Sequence, residues 1–169
     1  MNLHALVAEA AAYPCRRAVI TGGEPLESAL FLPLCRALDK RDFTLEVETS
    51  GILPPPGDTP AGMQWNVSVK LAGSGVAASR RINPEAIRVF IEYQAWWKFV
   101  VVGEDDLVEV LGLVEAFALP RGRILLQSEG LGREDLVARA PWLIEACKRH
   151  GFRFSPRLHI LVWGPRRGV

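Results

Sequence analysis

A short apolar run, a double glycine and a helix start follow one another in Ala18-Val19-Ile20-Thr21-Gly22-Gly23-Glu24-Pro25-Leu26. The β-branched residues Val19 and Ile20 favour a buried strand, which the glycine pair then ends. Pro25 stands where a first-turn proline suits a helix, because its ring fixes a helical φ and its missing N–H is not needed there. The stretch predicts a strand, a tight turn and a helix that runs to residue 38, with a kink at Pro33.

The same alternation continues on both sides of this unit. Apolar, β-branched runs predict strands, and longer runs with helical spacing predict helices. Strands are predicted at residues 17–21, 43–49, 65–69, 99–102, 124–127 and 158–163. Helices are predicted at residues 3–13, after the N-cap Asn83, after Glu104 and at residues 136–150. Such alternation is typical of an α/β fold with a mainly parallel sheet, here one domain spanning residues 1–169.

Composition excludes several classes of protein. A formal net charge of +1 provides no field that would recruit nucleic acid or an anionic membrane. No apolar run reaches the length of a membrane span, and the N-terminus has no basic segment before an apolar core. Cys15, Cys35 and Cys147 are odd in number and widely spaced, which argues against a disulfide framework or a zinc ribbon. We therefore expect a cytoplasmic protein without direct nucleic-acid or membrane partners.

In parallel α/β sheets, ligands bind beyond the carboxyl ends of the strands, so polar and glycine residues at those ends are the candidates. Gly22 and Gly23 would let a ligand approach the backbone closely. Glu24 could pair with an ammonium group, which suits the amino end of an amino acid better than a phosphate. An ordinary strand-to-helix turn with an acidic first turn explains the same residues.

Two further charged residues stand at predicted strand ends. Glu48 could accept hydrogen bonds from ribose hydroxyls, or it could be a solvated carboxylate at the sheet edge. Lys70 could hold a carboxylate, although lysines are usually surface residues. The sequence contains no phosphate-binding loop, dinucleotide fingerprint or nucleophile elbow.

Several segments together resemble the 7-carboxy-7-deazaguanine synthase family of radical SAM enzymes. The matching segments are Thr21-Gly22-Gly23-Glu24-Pro25, Val47-Glu48-Thr49-Ser50-Gly51, Val67-Ser68-Val69-Lys70-Leu71, Lys98-Phe99-Val100-Val101 and Phe152-Arg153-Phe154-Ser155-Pro156-Arg157-Leu158-His159-Ile160. The resemblance covers nearly all of the chain. It implies a partial radical SAM barrel of about six mainly parallel strands with flanking helices, holding S-adenosylmethionine (SAM) across its top.

The resemblance also implies roles for particular residues. SAM contacts are expected at Gly22, Gly23, Glu24, Glu48, Ser68, Val69, Lys70 and Gln127, and substrate contacts at Thr21 and Val169. Two positions depart from the family pattern, because Val69 and Ser128 stand where relatives usually have proline. No catalytic or metal-ligating residue is assigned within the chain.

The family reaction implies cofactors as well as a substrate. A reduced [4Fe-4S] cluster cleaves SAM, and the resulting radical abstracts hydrogen from 6-carboxy-5,6,7,8-tetrahydropterin. A magnesium-assisted ring contraction then yields 7-carboxy-7-deazaguanine for queuosine or other deazapurines. Three cysteines spaced Cys-x3-Cys-x2-Cys hold the cluster upstream of the Gly-Gly-Glu-Pro element.

The cysteines of this chain do not have that spacing, and we interpret them as small core residues. The family's first strand, its cluster loop and its magnesium-contacting residue are expected to lie outside the sequence. A polypeptide of this sequence is expected not to cleave SAM reductively. Without its first strand the sheet would also expose an unpaired edge, which predicts low stability and a tendency to associate, although the family forms homodimers.

Three hypotheses remain open from the sequence. The chain could be an enzyme whose start is placed too late or whose front part is supplied separately. It could instead be a cluster-free SAM- or nucleotide-binding module without catalysis, or a remnant without activity. A doubly wound domain that binds another nucleotide is the unrelated alternative. In-frame DNA upstream of Met1 that encodes the three cysteines would favour the first hypothesis.

Overall fold

The structure, a computed structural model, describes residues 2–166, which fall into two compact units. The first unit contains residues 2–68 and 82–95, and the second contains residues 69–81 and 96–166. The strands are β1 (Arg17–Ile20), β2 (Thr44–Thr49), β3 (Gln64–Val67), β4 (Trp96–Val101), β5 (Ile124–Ser128) and β6 (Arg153–Phe154). The helices are α1 (Leu3–Ala11), α2 (Phe31–Asp39), α3 (Ala78–Arg81), α4 (Pro84–Glu92), α5 (Glu104–Phe117), α6 (Arg133–His150) and α7 (Leu158–Trp163).

The first unit contains β1, β2 and β3, which pair in chain order and run parallel. Burial alternates along β2, where Leu45 and Val47 are buried, as expected when one face of a strand packs on helices. The Trp65 ring packs against Phe31 and Phe90, with centroids 6.2 and 5.5 Å away. Each fully buried side chain of this kind contributes about 1.5–3 kcal/mol. This apolar layer fixes the strands whose carboxyl ends carry the candidate site.

The second unit repeats this arrangement with β4, β5 and β6, which are also parallel. Trp97 and Phe99 of β4 and Leu126 of β5 have no exposed surface. Leu143 of α6 is equally buried, so this helix contributes a face to the core. No helix within residues 2–166 has the length and apolar character needed to cross a membrane.

The fold class predicted from the sequence is confirmed: the chain is an α/β protein with flanking helices, and the three strands of each unit pair in parallel. Asn83 caps α4 as predicted, because its side-chain oxygen accepts hydrogen bonds from the amides of Glu85 and Ala86.

The single helix predicted from residue 25 to residue 38 is wrong. A short 3-10 turn at Pro25–Glu27 ends at Ser28, which has extended backbone angles, and α2 begins only at Phe31. The prediction of a kink at Pro33 rested on a position inside a longer helix, which Pro33 does not occupy. Pro33 lies in the first turn of α2, where the N–H that proline lacks has no intrahelical partner.

The predicted strand at residues 158–163 is wrong as well, because this segment forms α7. A six-residue apolar run does not distinguish a buried strand from a helix by its pattern alone. The last strand is instead β6, where Phe154 pairs with Leu126. α7 buries Ile160 and leaves Trp163 half exposed, so packing rather than strand propensity decides its conformation.

Candidate functional site

The carboxyl ends of β1, β2 and β3 lie at the same edge of the first unit because these strands are parallel. Thr21, Gly22, Gly23 and Glu24 follow β1, and Ser68 follows β3. The structure therefore brings together at one edge the candidate residues that the first unit contains. This is the edge at which parallel α/β sheets bind their ligands.

Gly22 and Gly23 offer exposed backbone at this edge. A Cβ built on either residue would have no atom within 4 Å apart from its chain neighbours. The glycines are therefore not required by close packing of the protein against itself. The space that a side chain would fill is open to a ligand, which agrees with the backbone approach predicted from the sequence.

The Glu24 carboxylate is held by four hydrogen-bond donors of the protein. One oxygen, Oε1, accepts from the Thr49 hydroxyl at 2.7 Å and from the Leu26 amide at 3.3 Å. The other, Oε2, accepts from the Ser50 amide at 2.9 Å and from the Ser50 hydroxyl. Glu24 thus joins the turn after β1 to the end of β2. The sequence did not identify Thr49 and Ser50 as hydrogen-bond partners of the Glu24 side chain.

The end of β2 is itself tightly fixed. The Thr49 side chain is buried, and its hydroxyl oxygen also accepts from the Gly51 amide at 3.1 Å. The Thr49 carbonyl accepts from the Ser68 amide at 2.7 Å. Gly51 has a φ of 77°, which favours glycine. These bonds connect the ends of three successive strands.

Glu48 is half-buried in β2 and pairs in register with Asn66 of β3. This half-buried position does not decide between a ribose contact and a solvated carboxylate at the sheet edge. Thr21 is exposed directly after β1. Both roles implied by the resemblance, ribose binding by Glu48 and substrate contact by Thr21, stay predictions.

In the second unit, Val69 is buried and Lys70 is exposed. The segment after them is held by Arg81, which was not singled out from the sequence. Its guanidinium donates to the Lys70 carbonyl at 2.9 Å and to the Val76 carbonyl at 3.0 Å, and it pairs with Glu109. The sequence pattern around Arg81 does not reveal these contacts, because its charged partner Glu109 lies 28 residues away.

Gln127 is half-buried near the end of β5. The next residue, Ser128, is buried, and its hydroxyl has no hydrogen-bond partner among the described residues. Glu129 is anchored to Arg139, which donates to its carboxylate at 3.0 Å and to its carbonyl. Val169, predicted to contact substrate, lies outside the described residues.

Two of the three cysteines are buried in the core, as the sequence predicted. Cys35 and Cys147 are buried, and desolvation by burial raises the pKa of each thiol from 9.0 to about 11. Cys15 is exposed. Within residues 2–166, no three His, Cys, Asp or Glu side chains are grouped so that they could hold a metal ion. The described residues therefore do not supply the three grouped thiolates that a [4Fe-4S] cluster needs.

No protein-family profile matches the sequence. A 7-carboxy-7-deazaguanine synthase from Pyrobaculum aerophilum is 37% identical over 178 aligned residues, which cover 99% of this chain and 75% of the relative. The chain belongs to the 7-carboxy-7-deazaguanine synthase family. A synthase of this family from Hyperthermus butylicus is 30% identical, with 98% of this chain and 73% of the relative covered.

Solved structures agree with the family assignment. The crystal structure of QueE from Escherichia coli matches with a TM-score of 0.70 and 26% identity, over 93% of this chain and 64% of that chain. Streptococcus suis SuiB, solved bound to S-adenosylmethionine, matches with a TM-score of 0.59 at 13% identity. This second likeness covers 86% of this chain and 39% of SuiB, and it shows the fold alone. The chain thus has the radical SAM fold and spans about three quarters of the two synthases.

Proposed function

We propose that this chain provides the SAM-binding part of a 7-carboxy-7-deazaguanine synthase. The reaction converts 6-carboxy-5,6,7,8-tetrahydropterin to 7-carboxy-7-deazaguanine by a SAM-dependent radical ring contraction. The observation that carries the proposal is the open backbone of Gly22 and Gly23 at the carboxyl edge of parallel strands. Membership of the synthase family at 37% identity supports it.

Each proposed contact in the first unit follows from the chemistry of the ligand. The carbonyl groups of the glycine turn are acceptors that suit the ammonium group of SAM, and neither glycine carries a side chain that could stand in the way. Glu48 is a carboxylate that can accept hydrogen bonds from ribose hydroxyls, and Ser68 adds a hydroxyl at the same edge. Thr21 is proposed to face the pterin substrate. Val69, Lys70, Gln127 and Val169 stay predictions from the family resemblance.

The proposed site binds SAM but does not hold the iron–sulfur cluster. The described residues do not supply the three soft ligands that an iron–sulfur cluster needs. The 169-residue polypeptide by itself is expected to bind SAM without cleaving it.

Two measurements on the 169-residue chain test this proposal. Titration calorimetry with S-adenosylhomocysteine, which cannot be reductively cleaved as SAM is, should show saturable binding at one site. Anaerobic treatment with iron, sulfide, dithionite and SAM should yield no 5′-deoxyadenosine. If the chain bound neither S-adenosylhomocysteine nor SAM, the proposed SAM site would be contradicted.

A cluster-free SAM-binding module without catalysis is the second candidate, favoured by the same absence of a three-ligand group among residues 2–166. Binding alone does not separate the two candidates. Addition of a polypeptide that carries the family's Cys-x3-Cys-x2-Cys segment does, because only a synthase part would then support 5′-deoxyadenosine formation. The homodimer, the cytoplasmic location and the use of the product in queuosine synthesis belong to the same proposal.

A further inference from the structure

We infer that Glu24 is a positioning residue, which holds the Gly22-Gly23 turn in its binding shape by attachment to the end of β2. This role differs from the pairing of the Glu24 carboxylate with the ammonium group of the ligand, which the sequence suggested. The inference rests on the proposed function, because it concerns how the proposed SAM site is kept in shape.

The carboxylate is already saturated by the protein. An ionised carboxylate has about four positions at which it accepts hydrogen bonds. In Glu24, the Thr49 hydroxyl and the Leu26 amide take two of them, and the amide and hydroxyl of Ser50 take the other two. A ligand ammonium group could bind this carboxylate only by displacing one of these donors. The geometry is that of a structural attachment.

The attachment point on β2 is rigid. Thr49 is 3% exposed, and its hydroxyl contacts both Glu24 and the Gly51 amide. A Cβ on Gly51 would lie 2.6 Å from the Val67 side chain, so the turn after β2 packs directly on β3. The Thr49 carbonyl also accepts from the Ser68 amide. Glu24 is therefore held by a part of the structure that has little freedom to move.

The glycine turn has no comparable support of its own. Gly22 and Gly23 are exposed, carry no side chain and have open space beside them. Glycine backbone is the most costly to order, so a turn that is free before binding would weaken the ligand's affinity. Glu24 directly follows the pair and removes this cost in advance. Such prior ordering of a binding loop increases affinity without any new contact with the ligand.

The test compares two ligands and three variants of the 169-residue chain by titration calorimetry. S-adenosylhomocysteine carries the aminoacyl group, and 5′-methylthioadenosine lacks it. E24Q and S50A should each weaken S-adenosylhomocysteine binding roughly tenfold, because the turn must then be ordered on binding. Affinity for 5′-methylthioadenosine should change less than about twofold. The double variant E24Q/S50A should bind as weakly as the weaker single variant, since both substitutions weaken the same attachment of Glu24 to the end of β2.

The result that overturns the inference is unchanged or tighter binding of S-adenosylhomocysteine by S50A while E24Q loses affinity. That pattern would mean direct contact between Glu24 and the ammonium group, because S50A removes one of the protein donors that compete for the carboxylate. Melting temperatures of all variants show whether they fold, and S50A tests the attachment even if E24Q does not fold.

Hydrogen exchange without ligand provides a second, independent readout. The amides of Gly22, Gly23, Glu24 and Leu26 should exchange faster in S50A and E24Q than in the parent chain, and unchanged exchange would also overturn the inference. If the parent chain bound neither S-adenosylhomocysteine nor 5′-methylthioadenosine, the proposed function would fail. Hydrogen exchange would still decide whether Glu24 holds the turn.

Discussion

Arg81 and Glu109 form an ion pair 2.5 Å long across 28 residues of sequence, with the arginine side chain 8% exposed. The same guanidinium donates to the carbonyl groups of Lys70 and Val76. One side chain therefore fixes both ends of the segment that follows Val69. The second oxygen of Glu109 accepts from the Ala72 amide at 2.8 Å, which adds a further anchor to this segment.

Replacement of Arg81 by methionine is expected to lower the free energy of unfolding by about 2–4 kcal/mol, because it leaves a partly buried carboxylate and two carbonyl groups without their partner. Urea denaturation measures the change. Arg80→Met is the matched control, since Arg80 is exposed in the same short helix, and it should change stability by less than about 0.5 kcal/mol. Equal effects at both positions would contradict the role assigned to the buried arginine.

Replacement of Gly51 by alanine is expected to destabilise the first unit by about 2–4 kcal/mol. The φ of 77° is unfavourable for alanine, and the new Cβ would lie 2.6 Å from Val67 Cγ1. Gly57→Ala is the control, because Gly57 is exposed and a Cβ there meets no atom within 4 Å. Denaturation curves that shift equally for both variants would count against the close packing of the turn on β3.

Replacement of Gly23 by valine is expected to abolish SAM binding and to change the free energy of unfolding by less than about 1 kcal/mol. The side chain has room in the protein, so it should obstruct only a ligand that approaches the backbone. Calorimetry with S-adenosylhomocysteine and a thermal melt measure the two effects. Gly57→Val should retain binding. An unchanged affinity of Gly23→Val would refute the proposed contact.

Only Cys15 is expected to react with iodoacetamide in the native protein at about pH 8, because a thiol with a pKa of about 11 is ionised to roughly one part in a thousand there. Mass spectrometry should detect one modified cysteine in the native chain and all three in guanidinium. Rapid native modification of Cys35 or Cys147 would show that these thiols are more accessible than the structure places them.

The same two thiols predict a loss of stability at alkaline pH. Their pKa is raised from 9.0 in the unfolded chain to about 11 in the folded one, so the unfolded chain ionises first as pH rises. Stability is present below pH 9 and falls between about pH 9 and pH 11, by on the order of 2 kcal/mol per thiol. In Cys35→Ala and Cys147→Ala this alkaline loss should be smaller than in the parent chain, when measured by denaturation across that range.

Local sequence patterns predicted most of the strands and helices. The alternation of buried positions in β2 and β4, the Asn83 cap and the acidic start of α5 are set by neighbouring residues and by helix and strand periodicity. Residues 158–163 show where this failed, since a short apolar run fits either state and only packing places it in α7. The three donors that Thr49 and Ser50 provide to Glu24 were also beyond reach, because they depend on the spatial arrangement of two strand ends about 25 residues apart.

By itself, the sequence determined the α/β class and the family, and it predicted the edge at which a ligand would bind, because each depends on residue type and spacing along the chain. Only the tertiary structure decided what the polar groups at that edge do. It assigned Glu24 to Thr49 and Ser50, and Arg81 to Glu109 and the Lys70 carbonyl. The physical reason is that hydrogen bonds form between groups that are close in space, and parallel strands bring together residues that are distant in sequence.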